Sequence, residues 1–286
     1  MYTLAVIIDY YRRLTTPYKK HGVKKFFITQ FLKGDGHELE SHFWSKHSSS
    51  RLAFELYSWL ANEDCIKDIE FEYKLKGIKG SPKSPNMDVF IETEDKVIFI
   101  ESKFTETYTQ NIESLPDAYY KEKGEAKNTN GNLIKSTLSE RYFSNEISTK
   151  FINFKNYIDD NLFHTQEPQC WMDYAQEFKH LVGIYLFLTK NATAKRRFKN
   201  KKIEFYNVFY KKDIKTNNDI ESFFNEGQKL MNELLKREDF VYESITTQDI
   251  ISKIQTHNSD LTAFASNRQI MDILKDDKLF DPVPLK

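Results

Sequence analysis

The order of segments in this chain predicts an α/β fold, a mixed central β-sheet flanked by helices, with a helical insertion and a mainly helical C-terminal part. Three observations carry that expectation. "RLAFELYSWLAN", residues 51–62, sets Leu52, Leu56, Trp59 and Leu60 on one face at helical spacing, behind the candidate N-caps Ser48 to Ser50. "IKDIEFEYKLKG", residues 66–77, alternates Ile69, Phe71, Tyr73 and Leu75 with Glu70, Glu72, Lys74 and Lys76, the pattern of a half-buried strand. "MDVFIETE" and "KVIFIESKF" are apolar runs joined by a polar turn at Thr93 to Asp95, which reads as an antiparallel hairpin.

The remaining elements follow in order. "KGIKGSPKSPN" is a Gly/Pro loop between the first strand and the hairpin. Residues 105–168 are mostly polar, helical or irregular, and read as an insertion. "CWMDYAQEFKH" is expected to be a helix running into a strand, "LVGIYLFLT". A basic connection, residues 190–202, leads to a further alternating strand, "KKIEFYNVFYKK". From residue 217 the apolar positions Ile220, Phe223, Phe224, Leu230, Met231 and Leu234 recur at helical spacing. The expected organisation is therefore an N-terminal segment 1–47, a core 48–212 and a helical part 213–286, packed on the core or forming a small subdomain.

Bulk properties narrow the function classes. With 42 basic and 42 acidic residues in 286, the formal net charge is zero, which argues against a protein that coats nucleic acid by charge alone. A local basic cleft remains compatible with that balance. Aromatic residues make up 15% of the chain, and most are expected in the core rather than as base-stacking platforms. The longest apolar run, "LVGIYLFL", is far short of a membrane span, and the N-terminus lacks the features of a signal peptide. Cys65 and Cys170 form neither a disulfide framework nor a metal motif, so the cytoplasm is the expected compartment.

One stretch carries chemistry. The apolar run Val97 to Ile100 ends, without a turn residue, in Glu101, Ser102 and Lys103. Residues two apart on a strand share a face, so Glu101 and Lys103 project together. Folding the hairpin at 93–95 brings Asp88 beside residues 100–102. Two carboxylates on rigid strands suit Mg²⁺, which keeps several waters and takes substrate phosphate oxygens for the rest of its shell. A lysine beside them can orient or deprotonate a water and offset charge at phosphorus. The plain alternative is a solvated strand end with a cross-strand Lys–carboxylate pair, worth under about 1 kcal/mol. It does not explain why the charges follow an unbroken apolar run.

Asp88, twelve intervening residues and then Glu101-Ser102-Lys103, on a hairpin after a helix, resembles the PD-(D/E)XK nuclease superfamily, the restriction-endonuclease-like fold, and in particular type II restriction endonucleases. The likeness covers residues 48–104 well and extends more loosely to 210. It implies a core of helix, three-stranded meander, helix and strand, and Mg²⁺-dependent cleavage of DNA, with Mn²⁺ as a substitute metal. It also implies that Asp88 and Glu101 ligate the metal, that the Ser102 carbonyl adds a ligand, and that Lys103 positions the attacking water. Many members add an upstream helix carboxylate, for which Glu55 fits; the plain alternative is an ion pair with Arg51. The motif proline departs from the pattern, since Pro85 stands three before Asp88. Gln176 and His180 partly match a Gln-and-Tyr pair of some members, in place to contact phosphate or the metal-bound water, while Asp173 and Glu177 beside them read as plain polar helix residues.

The basic run around Lys195, Arg196, Arg197 and Lys199 joins two expected core strands and is a candidate phosphate contact. The implied partner is DNA. In a restriction or phage-defence role a methyltransferase acting on the same site would be a second partner, and a homodimer is compatible with the likeness. Two rivals stay open. One is a repair, recombination or mobile-element nuclease acting on branched or single-stranded DNA. The other is a catalytically silent nucleic-acid-binding module.

Overall fold

A computed structural model describes residues 30–31, 49–58, 60, 65–75, 85–103, 144–161, 173–209, 218–246 and 249–250. Helix α1 (Ser49–Tyr57) is followed by strands β1 (Asp68–Lys74), β2 (Asn86–Glu92) and β3 (Lys96–Lys103). Helices α2 (Asn145–Asn161), α3 (Tyr174–Lys190) and α4 (Ala192–Arg197) lead to β4 (Lys202–Phe209). Helix α5 (Asn218–Leu235) and strand β5 (Val241–Thr246) complete the described chain.

All five strands lie in one sheet in the order β1-β2-β3-β4-β5. β1, β2 and β3 form an antiparallel meander, while β4 runs parallel to β3 and β5 parallel to β4. The sheet is mixed and flanked by helices, as the sequence predicts. β3 is the centre strand and is buried from Lys96 to Ser102. A strand covered on both faces reads as a continuous apolar run rather than an alternation. Phe99 meets Phe187 of α3 edge-on, so that face carries the aromatic core of Phe90, Phe99, Phe198 and Phe205. Ile98 and Ile100 point the other way, also fully buried, on the side that α1 covers.

Several expectations change. "LVGIYLFLT" is not a strand but the second half of α3, a single helix of 17 residues from the Asp173 cap, whose side chain accepts from the Gln176 amide. Its β-branched and aromatic residues suggest a strand because the periodicity is hidden: residues 181–187 are buried all round, and a helix enclosed on every side loses its polar stripe. The C-terminal part is not only helical either, since "VYESIT" forms β5 and extends the same sheet across the expected boundary at residue 212. Part of the expected insertion is core as well. Phe151 and Phe154 of α2 pack on Phe178 of α3, and Phe154 on Phe223 of α5.

β1 also departs from simple alternation. Phe71 pairs with Val89 and Tyr73 with Met87, but Glu72 and Asp88 between them make no rung. Glu72 has φ 52°, a left-handed backbone uncommon for a residue with a side chain. The break turns the strand over without shifting the register: Phe71 stacks on Phe31 beside Phe54 of α1, whereas Tyr73 stacks on Phe90 and meets Phe187 of α3. Phe71 and Tyr73 therefore lie on opposite faces, not one.

Gly183 lets α3 approach the meander. A Cβ there would overlap Pro85 and come within 2.9 Å of a Leu75 methyl. Alanine is the better helix former by about 1 kcal/mol, so Gly183→Ala should stabilise if the contact were loose. Here overpacking of about 1–3 kcal/mol is expected to win. The variant should unfold at a lower temperature than the parent in a thermal melt.

Candidate active site

The end of the sheet where β3 finishes gathers the predicted chemistry. Glu101 and Lys103 emerge on the α3 side, with side chains 5% and 12% exposed, and the Lys103 Nζ stands 2.9 Å from Glu101 Oε1. Helix α3 brings Gln176 to both: its Nε2 donates to Glu101 Oε1 at 2.8 Å, and its Oε1 accepts from Lys103 Nζ at 2.6 Å. The three side chains close a triangle, which satisfies a carboxylate and an ammonium that burial would otherwise penalise heavily. Asp173 fixes the start of α3 and hence the place of Gln176.

Asp88 joins from β2. Its ladder has opened at this point, and the Ser102 amide, without a backbone acceptor on β2, donates to Asp88 Oδ2 at 2.6 Å. Burial, then the charges of Glu101 and Glu72, hold the Asp88 carboxyl well above its ordinary range, against the opposing pull of Lys103 and the Ser102 amide. The sequence predicts Asp88, Glu101 and Lys103 in one place, and the structure brings them together. Ser102 lies between, its backbone in the sheet and its Oγ buried without a partner among the described residues. Glu55 lies on α1, but its side chain is outside the described residues.

Gln176 and His180 do sit one turn apart, facing the cluster. Gln176 binds the Glu101–Lys103 pair directly. His180 is 2% exposed, packs edge-on against Phe205 and reaches within 3.8 Å of Glu101 Oε2. Burial lowers its pKa, which keeps the imidazole neutral, so this approach is a packed contact rather than an ion pair.

Glu177 is where sequence reasoning falls short. It is no surface residue but 1% exposed, accepting from Asn207 Nδ2 and from the Tyr242 hydroxyl at 2.7 Å. Asn207 lies beside Glu101 in the parallel β3–β4 register, so this network forms the floor behind the Glu101 cluster. Burial first, and the Glu101 charge second, push the Glu177 carboxyl up to about 8. The one available signal is its position one step after Gln176 on a helix that runs on into the apolar stretch 181–188.

The basic cluster lies elsewhere. α4 leads into β4 at Lys202, which pairs with Lys96, so the cluster sits at the opposite end of β3 from Glu101, roughly 20 Å away along the strand. Lys195, Arg196 and Lys199 are exposed there. Arg197 instead bonds Asp68 at 3.1 Å and pairs with the buried Glu92, which Lys201 also meets at 3.0 Å. The structure does not bring this cluster to the carboxylates.

Two carboxylates forced together at an open strand end fit a divalent cation. Asp88 resists ionising beside Glu101, and a cation between them would remove that penalty. Among the described residues no group of three or more His, Cys, Asp or Glu side chains is placed to enclose a metal. A site with few protein ligands is what Mg²⁺ takes, with water and phosphate completing its octahedron.

The mixed five-stranded sheet with flanking helices is an α/β architecture consistent with a restriction-endonuclease-like fold. Residues 30–268 match the family described as Restriction Endonuclease associating with ARP, and the chain belongs to that family. A nuclease role follows from that membership. No curated protein and no solved structure matches the chain. No helix among the described residues is long and apolar enough to cross a membrane.

The Glu177 shift has a definite sign. Its folded pKa of about 8 lies above the ordinary 4.5, so the folded state holds the extra proton between those values. Stability from this group is therefore full below the ordinary value and is lost as pH rises to about 8. His180, with a lowered pKa, acts oppositely, but only below its ordinary 6.5. In metal-free buffer the parent should lose stability on the order of 1 kcal/mol or more from neutral pH to just above the Glu177 midpoint. Glu177→Gln should flatten that slope in denaturant titrations at a series of pH values.

Proposed function

We propose that this chain is a Mg²⁺-dependent endonuclease that hydrolyses phosphodiester bonds in DNA, serving restriction or phage defence. The observation that carries the reading is the convergence of Asp88, Glu101 and Lys103 at the open end of β3, in a chain of a restriction endonuclease family. Asp88 and Glu101 would hold the metal, with the Ser102 carbonyl as a further ligand, and Mn²⁺ would substitute. Bound there, Mg²⁺ would polarise a phosphate oxygen and acidify a water.

The chain's own groups supply the rest. Glu101 Oε1 is committed to Lys103 and Gln176, so Oε2, which lies 3.8 Å from His180 Nε2, would be the oxygen left to hold a metal. Asp88 gives Oδ2 to the Ser102 amide and keeps Oδ1 for the cation. The Lys103 ammonium, held on two sides, is aimed to orient the attacking water and to offset charge growing on the phosphoryl oxygens. Gln176 keeps both groups in place before substrate arrives, so less reorganisation is needed as charge develops. A methyltransferase protecting the same DNA site would be the partner in restriction, and the exposed cations of α4 would meet phosphates distant from the cut.

Plasmid DNA should be cut by the purified protein with Mg²⁺ or Mn²⁺ and spared in EDTA. Asp88→Ala and Glu101→Ala should each reduce cutting by on the order of a hundredfold or more, with folding retained by circular dichroism. Parent-like cutting by both variants would sink the site assignment. Discrete bands would favour a sequence-specific enzyme, and a smear a non-specific one.

A further inference from the structure

Helix α1 adds a group to this site that no acid-acid-lysine motif contains. Tyr57, the last residue of α1, is 1% exposed, and its hydroxyl has no hydrogen-bond partner among the described residues. Burial first, and the charge of Asp88 second, raise the phenol's pKa and keep it protonated. α1 packs on β2 and β3, the strands that carry Asp88 and Glu101, and Ser50 at its start donates to Glu72 at 3.4 Å. Glu72 and Asp88 occupy the missing rung between β1 and β2, so α1 is tied to the point where the ladder opens. The Ser102 Oγ, beside the amide that holds Asp88, is the second buried hydroxyl there without a partner.

An unpaired buried hydroxyl costs about 1–3 kcal/mol relative to a satisfied one, and phenylalanine fills the same space without that cost. A tyrosine here, where phenylalanine would avoid that cost, points to a partner that arrives with the ligand. A direct bond to Asp88 is already absent, so the missing partner is a group bound next to Asp88. A magnesium ion keeps several waters, and each needs an outer hydrogen-bonding group. A phenol can accept from such a water and still direct its own proton to a carboxylate.

We propose that the Tyr57 hydroxyl is a positioning residue of the active site, which binds a water of the divalent cation's shell beside Asp88. The assignment rests on the metal-dependent reading above. It gives α1 a role that does not depend on Glu55: the helix supplies an uncharged group that orders the cation's water on the side away from Gln176.

Tyr57→Phe tests this, because it removes one oxygen and no packing volume. Three quantities are to be measured on parent and variant: the thermal midpoint without metal, its rise on titrating Mg²⁺, and the Mg²⁺ dependence of plasmid cutting. The expected variant melts at the same or a higher temperature without metal. Its Mg²⁺ titration should shift to roughly 10–100-fold higher concentration or its maximal cutting fall by that factor, the usual effect of losing an outer-sphere partner. Mg²⁺ titrations and cutting that match the parent would overturn the proposal. So would a lower metal-free midpoint, which would show that the hydroxyl has a structural partner. If the parent neither cuts nor gains stability with Mg²⁺, the nuclease reading itself fails and the proposal with it. A parent that responds while the variant responds equally removes only the role of Tyr57.

Discussion

Everything at this site depends on a centre strand that must end in charge. β3 is bonded on both sides, by β2 and β4, and enclosed on both faces, so Glu101 and Lys103 cannot turn into bulk water as they would on an edge strand. A buried carboxylate and ammonium persist only when each is satisfied. Gln176 meets that need for both at once, and α3 must therefore lie at one angle and depth along the sheet. Gly183 permits the depth and Asp173 sets the start. The long helix is in this sense positioned by the requirements of two side chains on the strand below it.

The opening of the ladder is the second consequence. The left-handed backbone of Glu72 and the missing rung at Asp88 interrupt the regular exchange of backbone bonds. The Ser102 amide then takes a carboxylate in place of a carbonyl. Such a break redirects side chains while leaving the rest of the sheet in register. Here the redirected group is an aspartate brought up to a second carboxylate, an arrangement unfavourable alone and favourable around a cation. The buried Glu177–Tyr242–Asn207 network behind Glu101 keeps water from screening that repulsion.

A separate ionic group at the far end of β3 has a different character. Lys96 and Glu204 are each 3% exposed and 3.3 Å apart, with Lys202 also at 3.0 Å from Glu204. Glu92 lies between Arg197 and Lys201. Each glutamate there meets two cations, so these groups lock the entry of β4 against the hairpin. At the Glu101 end the balance is reversed, with Asp88 and Glu101 sharing the one lysine, Lys103.

What could be read from the chain alone was local. The apolar runs, the tight turn at 93–95 and the charges after Ile100 establish a hairpin and its Asp–Glu–Lys set, because strand period and turn chemistry act within a few residues. Helical spacing likewise identified α5 from Phe223 and Phe224 onward. Burial on all sides erased such signals in "LVGIYLFLT", and the short β5 carried too little pattern to stand out from the helices around it. Tertiary structure alone decided that Glu177 is enclosed, that Tyr57 is buried on a helix packed against the strands of Asp88 and Glu101, and that the basic cluster lies at the wrong end of β3 for the carboxylates. Each of these depends on which elements pack together across long sequence separations. Side-chain environment is a property of that packing, and no residue carries it by itself.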